Sequence, residues 1–156
     1  SHAHVTSYYD GYDLSTSVLQ AFIRQQQILR LDGICRARAR NFDTYAEELH
    51  GYYSQDSETD LLSSFAYGTL VENRMDVFEH LRAQQIECRP LICGNIARHP
   101  FWIRHYGREV LPNADLIHDY GIYLPNHHNL STADVLSVAG TFKAVAQPKT
   151  MRDRAA

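Results

Sequence analysis

The spacing of apolar residues passes from a long helical period to a period of two partway along this chain, and that change limits its fold more than any other feature. From Ser15 to Gly51, Val18, Leu19, Phe22, Ile23, Leu29, Ile34, Phe42, Tyr45 and Leu49 recur at helical intervals. Gln25 to Gln27 with Arg36, Arg38 and Arg40 supply the polar faces. Ser15 or Ser17 serves as N-cap and Gly51 as the stop. Gly33 costs a helix about 1 kcal/mol relative to alanine, so the stretch reads as one long helix, or two in line with a break near Leu31 to Gly33. Past the polar connection from Ser54 to Asp60 the period drops to two. Phe65, Tyr67, Thr69 and Val71 alternate with Ala66, Gly68, Leu70 and Glu72, which predicts a strand.

The elements after it are shorter. Asn73 caps a helix whose apolar stripe is Met75, Val77, Phe78 and Leu81, and a second strand follows at Ile86 to Ile92, making a βαβ-like unit. A loop marked by Gly94, Asn95 and Pro100 leads to Phe101-Trp102-Ile103, a short helix or packed turn. Leu111-Pro112-Asn113 opens a helix over Ala114 to Tyr120, Gly121 ends it, and Ile122 to Leu124 form a brief strand. Asn129 to Ser131 cap a last helix with Val135, Leu136, Val138 and Ala139 on its inner face, running to about Ala144. The expected fold class is α/β: a two-layer sandwich with a long N-terminal helix and a small three-stranded sheet, antiparallel or mixed, covered by helices. Residues 1–12 read as an irregular leader, 13–145 as the domain, and 146–156 as a flexible tail.

Composition removes several classes of function. The 156 residues, 44% hydrophobic, fit one globular domain. No apolar run approaches the roughly 20 residues of a membrane span, and Ser1 to Tyr12 lack the charged head and apolar core of a secretory signal. A net charge of -3 offers no field to gather nucleic acid or anionic lipid. Cys35, Cys88 and Cys93 make neither a disulfide framework nor a CxxC pair, which suits buried thiols in a reducing cytoplasm. The only lysines, Lys143 and Lys149, fall in the last fourteen positions, so an interior Schiff-base lysine has no candidate and no catalytic residue is assigned.

Among polar clusters, His99, His105, His118, His127 and His128 lack paired-ligand spacing, so no metal is expected. Arg36, Arg38 and Arg40 read as a solvated helix surface, and the cysteines as apolar side chains. The stretch from Arg89 to Phe101 is richer. At a strand end, a loop shaped by Pro90 and Gly94 carries Arg89, Asn95, Arg98 and His99, able to aim a guanidinium, an amide and an imidazole at an anionic or polyhydroxylated substrate. In the alternative reading Arg89 pairs with Glu87 or Glu109.

Four passages, in order, resemble a known family. Gly11-Tyr12-Asp13-Leu14-Ser15-Thr16-Ser17, with Leu19 to Ile23 and then Gln27, Leu29 and Leu31-Asp32, is similar to the entry into the C-terminal domain of the DegT/StrS sugar aminotransferases. So are Gln85 to Leu91 with Gly94-Asn95, Leu111 to Asp115, and Gly121 to His127 before Leu130-Ser131. The Arg89-Pro90 and Gly94-Asn95 pairs are most similar to the sugar-nucleotide 3-dehydratase branch. The resemblance implies a fold-type I pyridoxal-phosphate enzyme acting on a nucleotide-linked 4-keto sugar in deoxysugar and surface polysaccharide synthesis, and a homodimer with active sites between subunits. It also implies that the large domain, with the cofactor-ring contacts and the lysine or histidine beside it, has no counterpart in these residues, so that this chain alone binds no cofactor. Tyr12, Asp13 and Ser15 fall where the family meets the partner's cofactor phosphate. Asp13 and Ser15 replace an asparagine and an arginine there, adding repulsion and removing a favourable charge.

Overall fold

The structure is a computed structural model that describes residues 17–55, 57–59 and 61–149. Helix α1 (Val18–Ile28) starts at Ser17, whose hydroxyl accepts the Gln20 N–H while the Gln20 side chain accepts the Ser17 N–H. Helix α2 (Leu31–Glu48) follows after a break at Leu29 and Arg30, just ahead of the expected position; Gly33 lies inside α2. No residue of α1 is buried, so no packing holds the two helices in register as one. α2, in contrast, buries Asn41, Phe42 and Tyr45.

Next come β1 (Ala66–Leu70), α3 (Arg74–Ala83) and β2 (Arg89–Pro90). Then α4 (Pro100–Tyr106), α5 (Pro112–Tyr120), β3 (Gly121–Pro125) and α6 (Thr132–Lys143) complete the order. The sheet runs β1-β3-β2 and both pairings are antiparallel, with Thr69 opposite Ile122 and Arg89 opposite Tyr123. β1 and β2 therefore point the same way with β3 between them, a split βαβ unit. The expected second strand at Ile86 to Ile92 contracts to two residues. Pro90 has no N–H for a ladder, and Cys93 and Gly94 turn the chain away with φ of 60° and 53°.

One face of the sheet presents Tyr67, Val71, Ile122 and Leu124 to α2, α3 and α6. Tyr67 lies 5.0 Å from both Phe42 and Tyr45, ring centre to ring centre, and the Tyr45 hydroxyl donates to the Pro125 carbonyl at 2.9 Å. Burial pushes that hydroxyl's pKa well above the ordinary tyrosine value. Two buried asparagines join the same elements. Asn41 donates to the His127 and Leu130 carbonyls, and Asn126 donates to the Arg38 and Ser64 carbonyls. The inner face of α6 is Val135, Val138, Ala139 and Phe142; Leu136, expected there, is 44% exposed because the buried stripe continues to Phe142 instead.

The opposite sheet face is closed by Leu91. Its side chain lies where Cβ atoms at Gly68 and Gly121 would have to go, and Gly121 also has the Ile117 carbonyl against it. Residues 146–149, read from sequence as the start of the tail, bridge back to β1: Glu72 N–H donates to Gln147 and Lys149 N–H to Leu70. Asn73 precedes α3 without capping it. Its amide donates to Val145 and accepts from the Gln147 N–H, tying the same stretch.

Removing only the Tyr45 hydroxyl, by Tyr45→Phe, is expected to cost about 1 kcal/mol in urea unfolding. Tyr45→Ala is expected to cost about 3–5 kcal/mol, since it empties the α2–β1 contact as well.

Candidate functional site

The polar loop after β2 folds onto α5. Leu91 N–H makes the last ladder contact, to Gly121 at 3.4 Å, and the left-handed pair Cys93-Gly94 then reverses the chain. A Cβ at Gly94 would run into the His118 ring, so this position needs glycine for its room and for its backbone angle. His99 Nε2–H donates to the Cys93 carbonyl at 2.7 Å and closes the turn. Asn95 uses every polar group it has nearby. Its backbone N–H donates to His118 Nδ1 (3.0 Å), its Nδ2 to Asp115 (2.9 Å), and its Oδ1 accepts from Ala97 N–H (2.9 Å), capping a 3-10 turn over Ile96–Arg98. Arg98 donates to Asp119 at 2.9 Å and reaches Asp115 at 3.5 Å. From α3, Arg74 donates to the His118 and Gly121 carbonyls, capping the C-terminal end of α5.

Three of the four residues expected to meet a substrate are thus gathered in one place. Asn95 and His99 are 1% and 4% exposed and bonded to the loop and to α5, so neither reaches an outside ligand while the loop keeps this shape. Arg98 is partly open to solvent beside Asp115 and Asp119. Arg89 sits elsewhere, on β2, with its guanidinium on Glu87 and its side chain 73% exposed. That pair, which sequence offered as the alternative for Arg89, is a surface contact worth at most about 1 kcal/mol and easily exchanged for a ligand. Cross-strand register puts Gly68, Tyr123 and Arg89 in one row, with Phe65 edge-on to Tyr123 at 5.3 Å.

Along the outer side of β2 runs a groove of about 790 Å³ between the strand and α3. Met75, Phe78, Ile86, Cys88, Pro90 and Ile92 form its apolar wall, and Arg82 and Arg89 stand on its rim with Glu79 and Glu87. Cys88 is a poor nucleophile here: burial, and then the Glu87 charge, push its thiol up to about 11.

Arg74, His118 and Asp115 were not singled out from sequence as holding the loop. The signal available was the spacing of Asp115, His118 and Asp119, which puts three polar groups on one face of a helix. Among the described residues no group of three or more His, Cys, Asp or Glu side chains is arranged to hold a metal, and no helix is long and apolar enough to cross a membrane. Tyr12, Asp13 and Ser15 lie outside the described residues. Neither lysine fits an aldehyde cofactor. Lys143 pairs with Glu48 at 2.7 Å, and Lys149 pairs with Glu72 at 2.8 Å and lies over the Tyr120 ring.

Residues 2–143 match the DegT/DnrJ/EryC1/StrS aminotransferase family. The chain belongs to that family. Among curated proteins it is similar to the GDP-4-keto-6-deoxy-D-mannose 3-dehydratase of Escherichia coli, 23% identical over 127 residues, covering 75% of this chain and 33% of that one. The Yersinia pseudotuberculosis enzyme of the same name is 22% identical over 127 residues, with 75% and 32% covered. Among solved structures, the Escherichia coli dehydratase with bound hydrated PLP superposes with a TM-score of 0.72 at 19% identity, over 86% of this chain and 37% of that one. A sugar aminotransferase from Micromonospora echinospora gives 0.73 at 21% identity, over 86% and 37%. The chain spans about a third of the length of the curated relatives it matches. The helices around a small antiparallel sheet are the fold these DegT/DnrJ/EryC1/StrS structures share with it.

At pH 8 a thiol at about 11 in place of 9.0 holds about a hundredth of the usual thiolate. Cys88 in the folded chain is therefore expected to react with iodoacetamide about 100-fold more slowly than a free cysteine, as followed by peptide mass spectrometry, and to gain reactivity when urea unfolds the chain.

Proposed function

We propose that this chain is the small-domain portion, about residues 13–145, of a pyridoxal-phosphate-dependent enzyme acting on a nucleotide-linked 4-keto-deoxysugar, by 3-dehydration or amination, in surface polysaccharide synthesis in the cytoplasm. Its contribution is to bind and orient the substrate, and catalysis requires a large domain that supplies the cofactor site. The observation that supports this reading is the family match over residues 2–143 in a chain that spans about a third of the length of its curated relatives. When bound in the whole enzyme, pyridoxal phosphate supplies an electron sink for reactions at the sugar carbons. This chain's own part is simpler. Arg89 exchanges Glu87 for a substrate phosphate, beside the rings of Tyr123 and Phe65. Arg98 serves as a second charged contact, and Asn95 and His99 hold the loop that presents it. Tyr12, Asp13 and Ser15 are assigned to the cofactor-phosphate contact of a partner subunit on the family resemblance alone.

α1 supports the need for a partner. Val18, Leu19, Phe22, Ile23 and Leu29 are all more than half exposed, an apolar side that packing on a large domain, or on a second copy in a homodimer, would cover. A free-standing binding or dimerisation module is the second reading, and the same helix favours it.

Titration calorimetry with GDP is the direct test. The chain is expected to bind, with Arg89→Ala weakening the affinity at least about tenfold and leaving the unfolding midpoint unchanged. Absence of binding, or equal binding by Arg89→Ala, refutes the assigned role. Mixed with pyridoxal phosphate, the chain alone is expected to show no internal-aldimine absorbance, and a clear band contradicts the need for a large domain.

A further inference from the structure

The contact between Asn95 and His118 has a direction that a proton can reverse. Asn95 N–H is a donor, so His118 Nδ1 accepts with its lone pair and the ring must be neutral at that nitrogen. Gly94 packs against the same ring with no room for a side chain, so loop and ring cannot slide past each other. We propose that His118 is a proton-sensitive latch: neutral, it holds the loop from Cys93 to His99 closed on α5, and protonated at Nδ1 it releases that loop. The proton comes from solvent and only an N–H bond forms; two donors then face each other and the contact is lost.

The surroundings set the sign. Burial first, then Arg98 from the loop, and less so Arg74 from α3 and His99, hold His118 below its ordinary 6.5, while Asp119 on its own helix opposes them. Asp115, the remaining charge on this side of α5, is bonded to Asn95 and Arg98. A histidine with a lowered folded-state pKa contributes fully above its unfolded value of 6.5, and that contribution disappears as pH falls through the folded value. The latch is therefore shut at neutral pH and weakens as pH falls below 6.5. What it frees is Arg98 and the two side chains, Asn95 and His99, that are otherwise shut away. The latch does not rest on the nucleotide-sugar reading, because it follows from contacts inside the fold.

Hydrogen exchange by NMR on the full chain tests it, with each amide corrected for its intrinsic rate. Between about pH 7.5 and pH 5, protection of the Asn95 amide is expected to fall by up to about tenfold per pH unit below 6.5, while the β3 amides keep theirs. In His118→Asn the side-chain oxygen can accept in place of Nδ1 and does not titrate, so Asn95 protection is expected to stay level. Level protection in the unmodified chain, a fall shared equally by β3, or a fall that persists in His118→Asn each overturns the latch. If His118→Asn does not fold, the unmodified chain's profile against β3 decides.

Discussion

Among the described residues β3 is the one strand that pairs with both others, and the domain is organised around that fact. β1 and β2 run in the same direction too far apart to bond, so neither has a ladder without it. The end of β3 also sets the long helix. Pro125 accepts from Tyr45, Asn126 reaches back to α2 at Arg38, and Asn41 on α2 reaches forward to His127 and Leu130. Buried amides and carbonyls of this kind fix a register as well as a distance, because a slip of one residue would leave several of them unpaired at about 1–3 kcal/mol each. The aromatic contacts of Phe42, Tyr45 and Tyr67 then fill a space whose walls are already placed.

The loop between β2 and α5 follows from the same strand. Gly121 opens β3 and leaves the notch that Leu91 fills, so the entry into β3 and the exit from β2 are packed as one unit. Everything downstream of Leu91 inherits that anchor: the left-handed turn, Asn95 on His118, and Arg98 on Asp119. Much of the charge in the cluster is therefore internally compensated. An anion arriving at Arg98 must compete with Asp119 and Asp115, whereas one arriving at Arg89 competes with a single, highly exposed glutamate. On electrostatic grounds Arg89 is the easier of the two to recruit.

Local signals carried the elements that depend on local chemistry. Ser17 with Gln20, and Ser131 with Asp134, are capping boxes readable from four residues, and the Ser131 hydroxyl and N–H hold the Asp134 carboxyl below the usual carboxylate range. The alternation around Tyr67 located β1 to within a residue or two. The strand expected over Ile86 to Ile92 is too long because its alternating apolar residues, Ile86, Cys88 and Ile92, point to a ladder that Pro90 cannot extend. Asn95 and His99 stood out as polar groups in a loop, but their direction was not legible. The partners that turn Asn95 inward, Asp115 and His118, lie 20 and 23 positions further on. The exposed side of α1 is the opposite case, since its apolar period is plain in sequence while its lack of a covering partner appears only in the fold.

That helix bears on how the chain holds together. Eleven residues is shorter than the roughly 12–15 at which an isolated helix becomes even marginal in water, and α1 buries none of them. Its capping box contributes about 1 kcal/mol at one end. With Val18, Phe22 and Leu29 facing solvent, nothing in the described domain repays the order of the remaining turns. α2, by contrast, is fixed at Asn41, Phe42 and Tyr45, all in its second half. The buried contacts of the two helices therefore begin in the middle of α2, and the apolar side of α1 has no cover among the described residues. A large domain or a second copy would cover that side equally well in energetic terms.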